Sequence, residues 1–229
     1  METDNCLMND MRSKENTGAR AATDAAALLR AIRGWLIDLD GVMYRGDQVL
    51  DGAAEFVETL RSQKTPYLFL TNNSTRTQEQ YARRLTSMGI PAEPDEFYTS
   101  ALATVEYLRR RAAPGSRVLM IGMDGLRHAL RAAGFELVQA PADAEYCVVG
   151  FSSKVTYDDL KRASLAVRRG VPFIATNPDP TLPVEEGLVP GVGAILAAIR
   201  AATDAAPKVI GKPQRIIIDL ATERLGLPA

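Results

Sequence analysis

At 229 residues the chain exceeds one average domain and falls short of two, so a core domain carrying a sizeable insertion is expected. Lys plus Arg number 27 against 28 Asp plus Glu, a balance that supplies no overall field to draw in nucleic acid or an anionic membrane. Cys6 and Cys147 are too few and too far apart for a disulfide framework or a paired-thiolate zinc site. No apolar run approaches the roughly 20 residues that cross a bilayer, and the polar N-terminus with Glu2, Asp4, Asp10 and Glu15 resembles neither signal nor transit peptide, so a soluble cytoplasmic protein is expected.

Residues 1–20 are polar and aperiodic, and 21–33 reads as a short helix with Leu28, Leu29 and Ile32 on its apolar side; 1–33 is taken as an N-terminal extension. Short apolar runs then alternate with helical patterns. Trp35-Leu36-Ile37 reads as a strand, Ala53, Phe56, Val57 and Leu60 as one helix face, and Tyr67-Leu68-Phe69-Leu70 as a second strand, which is the grammar of βαβ units and a parallel sheet. The next helix is expected to open at Thr75 with Gln78 closing a capping box, to bury Tyr81, Leu85 and Met88, and to stop at Gly89. Strands over 118–121, 135–138, 146–149, 171–175 and 208–210 and helices over 126–133, 158–169, 194–202 and 214–225 complete an α/β series without internal repeats.

Asp38-Leu39-Asp40-Gly41 directly follows the first strand, where open α/β sheets bind ligands. Residues two apart on an extended chain share a face, so both carboxylates point the same way. One could attack phosphorus while the other protonates the leaving oxygen and later activates water. Gly41 would let the backbone turn closely about a phosphate. An ordinary polar turn is the alternative, and an EF-hand loop is excluded because its sixth and twelfth positions are Met43 and Val49. Thr71-Asn72-Asn73 ends the second apolar strand with a hydroxyl, amides and backbone N–H groups ahead of a helix, although Asn also simply tolerates turns. Gly211-Lys212-Pro213 ends a third strand and offers a cation, without the spacing of a P-loop.

These strand ends together resemble the haloacid dehalogenase superfamily. Asp38-Leu39-Asp40-Gly41-Val42, Leu70-Thr71-Asn72-Asn73-Ser74, Phe97-Tyr98-Thr99-Ser100, Ala175-Thr176-Asn177-Pro178-Asp179 and Val209-Ile210-Gly211-Lys212-Pro213 are similar to its NagD, 4-nitrophenylphosphatase and phosphoglycolate phosphatase branch. The resemblance implies a Rossmann-like α/β core with a parallel sheet over 34–104 and 206–229, and an inserted α/β cap over 105–205 whose loop 177–187 faces the site. It implies Asp38 as nucleophile and Mg²⁺ ligand, Asp40 as general acid/base and Mg²⁺ ligand through its carbonyl, and Thr71, Asn72, Asn73 and Lys212 as phosphoryl-binding groups. The activity implied is a Mg²⁺-dependent phosphatase of small phosphomonoesters such as 4-nitrophenyl phosphate, phosphoglycolate, glycerol phosphate or nucleoside monophosphates. Nucleic acid and membrane are not expected partners; a homo-oligomer is left open.

Family members continue into another strand and an acidic Gly-Asp motif. A partial record is therefore expected, with weakened metal binding, an open sheet edge and an exposed apolar face on the last helix at Ile217, Leu220 and Ala221. A non-catalytic binder of a phosphorylated ligand is the competing function. A cysteine phosphatase built on Cys6 and Arg12 lacks a glycine cradle. His128, the single histidine, reads as a surface residue, Cys147 and Trp35 as packing groups, Asp179, Gly191 and Gly193 as turn residues, and Gly122-Met123-Asp124-Gly125 as a strand-to-helix turn.

Overall fold

The computed structural model describes residues 31–227. Most of the N-terminal extension, including its expected helix, Cys6 and Arg12, lies outside that range.

Three strands, β1 (Trp35–Ile37), β4 (Tyr67–Thr71) and β5 (Phe97–Thr99), form one sheet in the order β1-β4-β5. β4 is buried along its whole length and pairs in parallel with β5, Phe69 opposite Phe97 and Thr71 opposite Thr99. Between β1 and β4 lie a hairpin of β2 (Tyr44–Arg45) and β3 (Gln48–Val49) and the amphipathic helix α1 (Ala53–Ser62), which buries Ala53, Val57 and Leu60. Helix α2 (Gln78–Ser87) follows β4 and lays Tyr81 against the Phe97 ring at 5.5 Å between centroids, while Phe69 stacks on the same ring at 4.9 Å.

The expected start of α2 is corrected by two residues. The helix is capped by Thr77 and Gln80, because Thr75 is already spent: its N–H and hydroxyl donate to Asn73 Oδ1 at 3.0 and 2.7 Å. Gln78 donates instead to the carbonyls of Pro94 and Phe97 at 2.9 and 2.8 Å, tying α2 to β5. Met88 is half-buried at the helix end.

Helix α3 (Ser100–Arg109) leaves β5 directly and runs across position 105. A five-stranded, all-parallel sheet follows in the order β12-β9-β8-β6-β7, built from β6 (Arg117–Ile121), β7 (Glu136–Val138), β8 (Tyr146–Val149), β9 (Phe173–Ala175) and β12 (Lys208–Val209). Helices α4 (Asp124–Ala132) and α5 (Tyr157–Arg168) connect these strands, and between β9 and β12 come the hairpin β10 (Thr181–Val184)–β11 (Gly187–Pro190) and helix α6 (Val192–Thr203). Two apolar clusters flank this sheet. One joins Val118, Val148 and Ile174 to Leu70, Tyr98, Leu126 and Leu130; the other joins Leu119, Cys147 and Val149 to Ala166, Phe173, Ile195 and Ile199. Alternate residues of each strand thus face opposite layers, and strands buried on both sides explain the unbroken apolar runs. Cys147 is fully buried and free, and burial pushes its thiol up to about 12.

The last helix, α7 (Arg215–Arg224), corrects a further expectation. Ile217, Leu220 and Ala221 are buried rather than exposed, in one cluster with Tyr98, Ala101, Val105 and Leu108. Helix α3 supplies that cover, and Arg110 at its end reaches Glu223 at 2.6 Å. No helix among the described residues is long and apolar enough to cross a membrane.

Candidate active site

A cleft of about 500 Å³ opens where the strands end, and Asp38, Asp40, Thr71, Asn72, Asn73 and Lys212 all line it. All six candidate site residues are therefore brought together from segments far apart in the sequence.

Asp38 is the first residue beyond β1, and its Oδ1 accepts the Leu39 N–H at 2.8 Å. The chain then turns tightly: Met43 N–H donates to the Leu39 carbonyl at 2.9 Å and Gly41 N–H to the Tyr44 carbonyl at 2.8 Å. Gly41 takes φ 81°, a left-handed conformation that a side chain would strain. Leu39 is buried between two carboxylates that open to the cleft, as period-two geometry requires. Surrounding protein and then the neighbouring Asp38 charge push the Asp40 carboxyl above its ordinary range, while Arg76, Arg84 and Lys212 hold it partly back. Arg84 is anchored for this by the Gly46 carbonyl at 2.8 Å and by Asp47 at 2.9 Å, and it lies over the Tyr44 ring.

Lys212 follows β12, and its Nζ stands 2.6 Å from Asp38 Oδ1 and donates to the Leu70 carbonyl at 3.1 Å. The ammonium therefore bridges the ends of β1 and β4. Thr71, buried at the end of β4, accepts the Asn73 N–H on Oγ1 at 3.1 Å. The Asn72 amide is committed within the protein: Nδ2 donates to Asp179 Oδ2 and to the Lys212 carbonyl, each at 3.0 Å, and Oδ1 accepts the Lys212 N–H at 2.7 Å. Its side chain is a scaffold, not a free phosphoryl ligand. The turn is held from beneath by Ser100, whose hydroxyl donates to the Asn72 carbonyl at 2.5 Å.

The loop expected to face the site does so, since Asn177, Asp179, Thr181, Leu182 and Pro183 line the cleft. Phe151 and Val192 also line it and escaped the sequence reading. Phe151 was in principle detectable as the residue just beyond a strand and a glycine, as Lys212 is.

Asp38 and Asp40 offer hard oxygen donors, and no group of three or more His, Cys, Asp or Glu that could hold a metal is present among the described residues. Mg²⁺ is ordinarily held by one or two carboxylates together with waters and substrate phosphate, so this donor set fits it. The repulsion that Asp38 exerts on Asp40 is what such a cation would relieve.

A model of the haloacid dehalogenase-like hydrolases matches residues 35–136. The acid sugar phosphatase of Staphylococcus epidermidis is 44% identical over 199 residues, covering 87% of this chain and 76% of that protein. The chain belongs to the haloacid dehalogenase-like hydrolases. Within that family it is a phosphatase of the NagD and 4-nitrophenylphosphatase branch, with the α/β core and parallel sheet of the family. The structure of a thermostable NPPase from Geobacillus stearothermophilus superposes with a TM-score of 0.79 at 43% identity, covering 85% of this chain and 76% of that one. A glycerol phosphate phosphatase from Mycobacterium tuberculosis, solved in complex with magnesium, gives a TM-score of 0.79 at 37% identity over 84% of this chain and 58% of that one. The same phosphatase has also been solved in complex with calcium.

Proposed function

We propose that this haloacid dehalogenase-like hydrolase is a Mg²⁺-dependent phosphatase of small phosphomonoesters with uncharged leaving groups, working through an aspartyl-phosphate on Asp38. The observation that carries the reading is the convergence of Asp38, Asp40, Thr71 and Lys212 in one cleft, with the Lys212 ammonium 2.6 Å from Asp38.

In this reading an Asp38 carboxylate oxygen attacks phosphorus and the bond from phosphorus to the leaving oxygen breaks. Asp40 gives that oxygen its proton, a role suited to a carboxyl held above its ordinary range. Asp40, now a carboxylate, takes a proton from water; the water oxygen attacks phosphorus, the bond to Asp38 breaks, and inorganic phosphate and both original side chains are restored. Thr71 and the turn at Asn73 receive the transferring oxygens, and Lys212 offsets negative charge on the Asp38 side. Asp38 and Asp40 would hold Mg²⁺, which when bound would offset the repulsion between a phosphate dianion and these carboxylates. Residues 105–205 would act as the inserted cap, with Leu182 and Pro183 of β10 excluding water.

The substrate class follows from what lines the rest of the cleft. Phe151, Leu182, Pro183 and Val192 are apolar, Asp179 is anionic, and the one cation among the described lining residues, Lys212, is already bonded to Asp38. Nothing there would match a second negative group, so sugar phosphates, glycerol phosphate and 4-nitrophenyl phosphate rank above phosphoglycolate. The name of the glycerol phosphate phosphatase relative agrees with that ranking, whereas that of the acid sugar phosphatase points to substrates with a second acidic group.

Phosphate release from 4-nitrophenyl phosphate in the presence of Mg²⁺ is the test. Asp38→Asn should leave the thermal transition in place and abolish turnover; a variant that still releases phosphate would sink the mechanism.

A further inference from the structure

Asp179, Gly191 and Gly193 have no part in the chemistry above, yet together they reach its cation. Asp179 Oδ2 accepts two amide N–H groups, from Asn72 Nδ2 at 3.0 Å and from Asn177 Nδ2 at 2.7 Å. A carboxylate only accepts, so it admits the Asn72 side chain in one orientation, Nδ2 inward. That orientation is the one that grips Lys212 on both sides, Oδ1 taking its N–H at 2.7 Å and Nδ2 reaching its carbonyl at 3.0 Å. A flipped amide would set oxygen against carboxylate and oxygen against carbonyl, and the grip would be lost.

The main chain of Asp179 is itself bolted down. Gly193 N–H donates to the Asp179 carbonyl and Gly191 N–H to the Pro180 carbonyl, both at 2.8 Å. A Cβ on Gly191 would stand 2.5 Å from the Asp179 oxygen, and one on Gly193 2.6 Å from the Pro178 oxygen, so the start of α6 presses on this loop as only glycine allows. The other end of the chain of contacts is equally close: a Cβ on Gly211 would lie 2.6 Å from Asn72 Oδ1. A continuous path of short contacts thus runs from α6 through Asp179 and Asn72 to the backbone of Lys212.

We propose that Asp179 is a positioning residue for Lys212: by fixing the orientation of the Asn72 amide it fixes the Lys212 backbone, and with it the ammonium over Asp38. The proposal rests on Lys212 being the cation of the phosphatase reaction. It also links the loop that lines the cleft to the reacting end of the site through direct hydrogen bonds.

Four proteins carry the test beside the wild type: Asp179→Ala, Asp179→Asn, Lys212→Ala and the double variant of Asp179→Ala with Lys212→Ala. For each, kcat and KM for 4-nitrophenyl phosphate with Mg²⁺ are measured together with the thermal midpoint. A displaced catalytic group costs on the order of 10²-fold, so Asp179→Ala should lower kcat by about that factor with little change in KM. Asp179→Asn keeps a carbonyl acceptor for both amides and should recover to within about tenfold of wild type. In the Lys212→Ala background, adding Asp179→Ala should cost no more than about twofold, because the group it positions is gone. Wild-type kcat in Asp179→Ala, or an equal loss with and without Lys212, overturns the proposal. A fully active Lys212→Ala protein overturns the catalytic reading of Lys212 and this inference with it, and that case is distinct from one in which Lys212→Ala is impaired and Asp179→Ala is not. Should Asp179→Ala lose its thermal transition, Asp179→Ser replaces it in the same cycle.

Discussion

Replacing Lys212 by Met separates what the residue does for the fold from what it does for catalysis. The side chain is 25% exposed and its partner Asp38 is 46% exposed, so water screens their 2.6 Å contact. Exposed pairs of this kind contribute about 0.2–1 kcal/mol. The second contact, to the Leu70 carbonyl at 3.1 Å, adds about 1 kcal/mol as an ordinary hydrogen bond. Methionine preserves most of the apolar stem, so the total loss is about 1–2 kcal/mol, which in a chain of this size lowers the thermal midpoint by about 2–8 °C. Catalysis should respond on another scale. Removing a preorganised group aimed at developing charge costs about 10²–10³ in kcat, or roughly 3–4 kcal/mol. Steady-state release of 4-nitrophenol with Mg²⁺ and a thermal melt on the same preparation read both quantities. A variant within about threefold of wild-type kcat would refute the placement of Lys212 in the reaction, since 1 kcal/mol of lost stabilisation alone exceeds that factor. A melt lowered far beyond the stated range would show that the ion pair holds the strand ends together, contrary to the screening argument.

Leu220 is nearly fully buried between α7 and α3, and Leu220→Ala should cost about 2–5 kcal/mol by urea denaturation; an exposed helix face would lose almost nothing. Helix α5 begins with a reciprocal cap in which Asp159 Oδ2 accepts the Thr156 N–H at 2.9 Å and its hydroxyl at 2.7 Å, while Arg162 stands 2.6 Å from Oδ1. Partial burial pushes the Asp159 carboxyl up, but the bonds from Thr156 and Arg162 win and hold it below its ordinary value of 3.8. A depressed folded-state value means stability that is present above 3.8 and lost as pH falls through the folded value. Asp159→Asn should therefore cost about 1 kcal/mol near neutrality and progressively less in acid, and a cost independent of pH would contradict the cap assignment. Chelation by EDTA should remove phosphate release from 4-nitrophenyl phosphate and Mg²⁺ should restore it, with unchanged turnover in EDTA as the contrary result.

The strand ends were legible in the sequence because their signals are local. An apolar run with a carboxylate, a hydroxyl and amides, or a lysine at its end is contained within a few residues around Asp38, Thr71 and Lys212. Helix α3 was not legible. It buries Ser100, Ala101, Ala103, Thr104, Val105 and Leu108, a spread too wide to leave a clean helical period, and it follows β5 with no turn residue between them. The expected exposure of the α7 face rested on the absence of a further strand, whereas α3 is what covers it. The β10–β11 hairpin was hidden for the opposite reason: it is largely solvent-exposed and carries Pro183 and Pro190, so it shows no alternation. Least legible was the use of Asn72, whose partners lie 107 and 140 positions away at Asp179 and Lys212. A Thr-Asn-Asn at a strand end offers amides to a ligand and to the protein alike, and only the tertiary contacts decide which takes them.

Charge within the cleft argues for the cation that this donor set fits. Asp38 and Asp179 line it as carboxylates, with the Asp40 carboxyl beside them, against the single ammonium of Lys212, which is bonded to Asp38. Burial first and the Asp38 charge second push the Asp40 carboxyl upward, and Arg76, Arg84 and Lys212 hold it only partly back. Asp179 is partly quenched by the two amides it accepts. A phosphate dianion entering this space would meet uncompensated negative charge at the point where Asp38 must approach phosphorus. Two unit charges 4 Å apart interact by about 4 kcal/mol at an effective dielectric of 20, and Lys212, the one cation among the described lining residues, is already shared with Asp38. A hard divalent cation held by Asp38 and Asp40 reverses the sign of that interaction. The same residues that make the site unfavourable for an anion alone are those that would hold the ion that admits it.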